Sequence, residues 1–191
     1  VIDNFLRVPR GATIVADIIR VLTLASTVAA AIGWGLVDLA VFALVLGGTV
    51  VARMLALRPA LDIAATATLL VSAWSSTLEL YTTVPGWDLL VHAALNGLLS
   101  VMIIVLLERS RLLPDVATSR APRTTLVLLT TAFGLAAGVL WEIGEWAGHT
   151  FVDDSIFVSY TDSISDLAIG GAGSLVGGFA LSRSFRSSMA R

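Results

Sequence analysis

The sequence predicts an all-α integral membrane bundle of six transmembrane helices, with both the N-terminus and the C-terminus cytoplasmic. Three observations carry that prediction. Of 191 residues, 57% are hydrophobic and 14% charged, with a mean hydropathy of +0.90, whereas about a quarter of the residues of a soluble domain are charged. Six apolar stretches, at about residues 21–38, 38–57, 62–80, 88–107, 124–146 and 163–182, are each long enough to cross about 30 Å of hydrocarbon as a helix. The basic residues fall only in alternate connections, as the positive-inside rule requires of a multi-span protein.

Residues 1–20 carry too many charges to span, but Ile14, Val15, Ile18 and Ile19 alternate with Asp17 and Arg20 at helical spacing. This segment reads as a short interfacial helix leading into the six-helix domain at 21–182. Arg7, Arg10 and Arg20 precede the first span, and Arg53 and Arg58 bound the second connection. Arg109, Arg111, Arg120 and Arg123 fill the fourth connection, which Pro114 and Pro122 mark as a loop, and Arg183, Arg186 and Arg191 make a basic tail at 183–191. The turns near Asp38, near Pro85-Gly86-Trp87 and over 150–161 hold no arginine or lysine and are expected to face outward. Trp34, Tyr81, Trp87, Trp141, Trp146 and Tyr160 fall near that outer boundary, where amphipathic rings prefer to sit. The amphipathic stretch 150–161 reads either as a surface loop or as a lid over the bundle mouth. No cleavable signal peptide is expected, because the first apolar run is long and continues into further spans.

Cysteine is absent, which excludes thiolate metal sites, disulfides and a cysteine nucleophile. The basic face is too diffuse to indicate nucleic acid, and membrane lipids are the expected contact.

Two stripes share one spacing. Gly134, Gly138, Glu142, Glu145 and His149 fall within a sector of about 80° at about 100° per residue, and Asp162, Asp166, Gly170, Gly173 and Gly177 repeat the same offsets in the following span. Small residues at this spacing let helix backbones approach closely, so the two spans are expected to pair tightly and open into a polar mouth. Asp88, His92 and Asn96 follow at i, i+4 and i+8 on the fourth span, and Glu79 ends the third.

If these faces converge, carboxylates meet at one depth with no lysine or arginine to offset them, and a proton, a cation or water must do so. The expected ligands of a divalent metal ion (Zn, Mn, Fe or Mg) are Asp88, His92, Glu142, Glu145, Asp162 and Asp166, a donor set mixing carboxylates with imidazole. Glu142 or Glu145 is the candidate catalytic base, with the other as ligand. The bland alternative is that Glu142, Glu145 and His149 are solvated at a helix end, that Asp162 is a helix N-cap and that Asp88 is an N-terminal acid bonded to His92.

The segments WDLLVHAALNGLL (87–99), LWEIGEWAG (140–148) and DSISDLAIGGAGSLVGG (162–178) resemble the YjdF-like family of uncharacterised bacterial inner-membrane proteins, and more distantly the VanZ-like membrane proteins. The resemblance covers about half the chain and carries over to Asp88, His92, Glu142, Glu145, Asp162 and Asp166. It implies a helical fold in a bacterial plasma membrane and assigns no reaction, substrate or cofactor.

Three functions follow as expectations. The first is a divalent-metal-binding protein with its site on the extracytoplasmic side, acting as a hydrolase or transferase on a lipid-type substrate. The second is a proton- or cation-coupled transporter, which needs a polar route inward that the glycine and aliphatic inner halves of the last two spans do not supply. The third is an accessory or structural subunit of a larger membrane complex, or a homo-oligomer, docked through small-residue faces.

Overall fold

A computed structural model describes residues 2–6, 8–113 and 123–189, with side chains described over 4–6, 8–113 and 123–183. Arg7, Pro114, Arg120, Pro122 and Arg191 lie outside the described residues, as does the side chain of Arg186.

Among the described residues every regular element is a helix: α1 (Ile2–Phe5), α2 (Thr13–Gly33), α3 (Leu36–Met54), α4 (Pro59–Thr77), α5 (Leu80–Thr83), α6 (Trp87–Arg109), α7 (Arg123–Phe151) and α8 (Tyr160–Met189). Five of these, α2, α3, α6, α7 and α8, are long and apolar enough to cross a membrane. The remaining expected span, the third at 62–80, corresponds to α4, as long as α3 at 19 residues, but diluted by Asp62, Thr66, Thr68, Ser72, Ser75, Ser76 and Thr77. Helix α2 begins at Thr13 and runs unbroken past residue 20, so the stretch read as an interfacial lead-in and the first apolar run are one rod. Likewise α8 continues to Met189, through most of the stretch read as a tail.

The connections have local causes. Gly35, between α2 and α3, has φ 110 and ψ −176, a region that side chains exclude. Arg58 is extended ahead of Pro59, as a residue before proline must be, and Pro59 starts α4 without losing a hydrogen bond. Glu79 adopts a left-handed conformation, φ 54, which closes α4 and lets its carbonyl accept from the backbone N–H groups of Thr82 and Thr83.

The chain forms two compact units, residues 1–88 and 89–191. In the first, α2, α3 and α4 pack on one another. Phe42 is fully buried, and Trp74 meets it edge to face at 5.3 Å and meets Trp34 at 5.7 Å. The Trp74 indole N–H donates to Ser26 Oγ at 3.2 Å, satisfying the one polar atom that the ring carries inward. At one end of this unit lies a charge network that the sequence does not announce. Arg20 donates through Nε to the Thr49 carbonyl at 2.9 Å, through one terminal nitrogen to Asp17 at 2.7 Å and through the other to Asp62. Arg53 reaches the second oxygen of Asp17 at 3.3 Å. Two arginines and two aspartates thus neutralise one another across α2, α3 and α4.

In the second unit α7 and α8 pack along much of their length, as expected, but their glycine stripes do not face each other. The glycines of α8 turn mostly to α6: a methyl group on Gly173 would overlap the Ala93 carbonyl oxygen, and one on Gly177 would lie 2.6 Å from the Gly97 carbonyl oxygen. Gly138 of α7 faces Leu167 and Asn96, and a methyl on Gly134 would strike Ser174. The surface of both units inverts that of a soluble protein. Ile32 is 85% and Leu128 69% exposed, while Thr23, Thr49, Thr66, Ser75, Ser100, Thr130 and Ser174 are fully buried. That arrangement suits a hydrocarbon surround, where apolar side chains gain nothing by hiding and hydroxyls must find partners in the protein.

Candidate metal centre

Helices α6, α7 and α8 position their polar residues by register. Asn96 is buried on α6, with Gly138 of α7 and Gly170 of α8 against its amide. Counting from that level at 1.5 Å per residue, His92, Glu142 and Asp166 stand about 6 Å nearer the N-terminal end of α6, and Asp88, Glu145 and Asp162 about 10–12 Å nearer. A rotation of 100° per residue turns Glu145 about 20° and Glu142 about 40° from the direction in which Gly138 faces.

Of the six expected ligands the structure groups three. Asp88, His92 and Asp166 each offer an atom, and these atoms all lie within 4.8 Å of one another. Asp166 is 3% exposed. Its Oδ2 stands 3.9 Å from His92 Nε2. Helical spacing explains the convergence: Asp88 and His92 are four residues apart on α6 and share a face, and the α8 glycines bring that face close to Asp166.

The other three are placed differently. Glu145 is half-buried, accepts a hydrogen bond from Trp141, four residues earlier on α7, and interacts electrostatically with Glu142, His92 and Asp166. Glu142 is half-buried, at the side of Glu145 and outside the triad. Asp162 is also outside it. The alternative in which Asp162 caps α8 does not hold: Ser159 does so, its Oγ accepting the Asp162 backbone N–H at 3.2 Å. Asp162 therefore lies in the first helical turn, where a carboxylate complements the helix dipole.

Glu79 is exposed at the end of α4 and belongs to the first unit. His149 serves the loop after α7. Its Nδ1 lies 2.7 Å from the Ile156 carbonyl, which can only accept, so the ring carries a proton there. The Ile156 side chain folds back over Gly148, where a methyl would come within 2.9 Å. In that loop the hydroxyl and backbone N–H of Ser155 bond to Asp153 and hold its exposed carboxyl below the usual carboxylate range.

The Arg20, Asp17, Asp62 and Arg53 cluster is the polar feature that sequence reasoning missed. Asp17 and Arg20 lie three residues apart and so share a helix face, which was the available signal; Asp62 had none.

A family model described as "Predicted membrane protein (DUF2238)" matches residues 12–187. No curated protein and no solved structure matches the chain.

Proposed function

The chain belongs to the DUF2238 family of predicted membrane proteins, and we propose that it holds a divalent cation at Asp88, His92 and Asp166. The observation that carries this reading is the approach of three ligand atoms from α6 and α8 to within 4.8 Å of one another. Metal–ligand bonds of about 2.0–2.2 Å at tetrahedral angles hold two donors about 3.3–3.6 Å apart, so the widest pair of the set needs to close by up to about 1.5 Å, a shift within reach of side-chain rotation. Two carboxylates and one imidazole suit Zn²⁺, Mn²⁺ or Fe²⁺ better than Ca²⁺. A cation also relieves the repulsion between two carboxylates, one of them buried, held this close.

In this reading the chain is a six-span protein in which α4 also spans, as the third helix to do so, its Asp62 charge met by Arg20. Both termini are cytoplasmic, because Arg53, Arg58, Arg109, Arg123 and Arg183 all sit toward the helix ends remote from the neighbouring turns that hold no arginine. The triad then opens on the extracytoplasmic side of a bacterial plasma membrane. Three protein ligands leave coordination positions open, which suits the centre to activating water or binding a lipid phosphate oxygen, with Glu145 as proton acceptor. Exposed Trp141, Trp146, Phe151 and Tyr160 stand at the same end of the unit, in keeping with a lipid-type substrate entering from the bilayer.

The test is metal content. Full-length protein purified in detergent is stripped with chelator, titrated with Zn²⁺ or Mn²⁺ and assayed by mass spectrometry of the retained metal. Stoichiometric, saturable uptake by the native chain, lost in Asp166→Asn and in His92→Ala, is expected. Equal retention by native protein and both variants would remove the centre.

A further inference from the structure

We infer that the polar site at His92 and Asp166 is a dead end: α6, α7 and α8 seal it below Asn96, so that neither ions nor water pass through this unit. At first sight the unit carries a polar file that would serve as a conduit, for Asn96, Ser100, Thr130, Ser174 and Ser182 are all buried and follow one another away from the triad. Two observations close it.

First, the backbones leave no room. A methyl group at Gly134 would overlap Ser174 Oγ and stand 3.0 Å from Ser100 Cβ; one at Gly97 would lie 2.8 Å from the Gly173 carbonyl oxygen. At Gly170 it would overlap the Asn96 amide. These contacts come from α6, α7 and α8 in turn and occupy successive levels, so the helices close on one another at each of them. A water molecule needs about a 1.4 Å sphere of free volume together with polar partners, and a gap that rejects a methyl group does not supply it.

Second, the hydroxyls are turned back. Ser100 donates to the Gly97 carbonyl at 2.9 Å, Thr130 to Leu126 at 2.8 Å, Ser174 to Gly170 at 2.9 Å and Ser182 to Phe179 at 2.8 Å. Each bond lies within its own helix, the usual refuge of a serine or threonine with no water to bind. A second contact of Ser174 Oγ, to the Asn96 carbonyl at 3.2 Å, ties α8 to α6 and tightens the seal. At the other end, by contrast, His92 is only half-buried. The consequence is a site that binds or reacts with what reaches it from one face, not one that translocates. This holds whether or not a metal occupies the triad.

The chain has no cysteine, so single-cysteine variants report cleanly. Asp88→Cys, His92→Cys, Ser100→Cys and Ser174→Cys are each reconstituted in sealed vesicles and treated with a membrane-impermeant maleimide from either face. Asp88→Cys and His92→Cys are expected to label from one and the same face, and Ser100→Cys and Ser174→Cys from neither until the vesicles are dissolved in denaturant. Labelling of either deep position in intact vesicles, or failure of both mouth positions to label, overturns the inference. Native protein in vesicles loaded with pH- and divalent-cation-sensitive dyes gives an independent reading: flux no greater than in empty vesicles is expected, and flux above it overturns the inference even where a variant does not fold. A chain that retains no metal yet shows this labelling pattern refutes the metal centre and leaves the sealed floor standing.

Discussion

Replacing Asp62 by asparagine removes one carboxylate from the Arg20 network and keeps the shape of the side chain. The two side chains are 5% and 10% exposed, so the guanidinium left behind has little water to turn to. Removing one partner of a buried pair costs about 3–5 kcal/mol, most of it the penalty of the uncompensated charge. Arg20 keeps Asp17 at 2.7 Å and the Thr49 carbonyl at 2.9 Å. That places the expected loss at the lower end, about 3 kcal/mol, or roughly a 100-fold fall in the ratio of folded to unfolded protein. The assay is unfolding in mixed micelles of rising dodecyl sulfate fraction, followed by tryptophan fluorescence, to which Trp74 in the same unit contributes. A paired variant, Arg20→Met with Asp62→Leu, should recover most of the loss, because replacing both charges removes the desolvation penalty together with the attraction. An Asp62→Asn protein within about 0.5 kcal/mol of the native one, or a paired variant as damaged as the sum of its two singles, would refute the reasoning.

Two further expectations each compare a glycine with its own control. Gly173→Ala drives a methyl into the Ala93 carbonyl, whereas Gly144 on α7 has nothing within 4 Å; the first should cost about 1–3 kcal/mol in the same micelle assay and the second should be neutral or mildly stabilising. Gly35→Ala meets no atom within 4 Å but sits at φ 110, so its cost, about 1–3 kcal/mol, is conformational alone, while Gly33→Ala inside α2 should cost nothing. Equal melting temperatures within either pair would show that the close approach or the turn does not constrain the fold.

Hydropathy alone located the helices, because a rod surrounded by lipid must be apolar over its length whatever it packs against. It misjudged where α2 begins. Asp17 and Arg20 look like interfacial charges to a local reading, and only Arg53 and Asp62, far away in the chain, make them fit for a helix interior. The triad was legible in part: the four-residue spacing of Asp88 and His92 and the common depth of Asp166 are properties of sequence and helix geometry. That Ser159 and not Asp162 is the cap of α8 was not legible, since both residues are good caps and one position decides between them. The partner of the α8 glycines was equally hidden. A glycine stripe states that something comes close without naming what, and α6, which has only Gly97 to show, turned out to be the neighbour.

Because the hydroxyls of Ser100, Thr130 and Ser182 close on carbonyls of their own helices, these side chains join the rods by shape and not by bonding. In a saturation mutagenesis scan the tolerated substitutions at Ser100 and Thr130 should therefore sort by bulk: alanine accepted, threonine or valine at the serine rejected, with polarity a weak predictor. Such a lattice resembles a dry masonry joint more than a glued one, secure while every stone keeps its size.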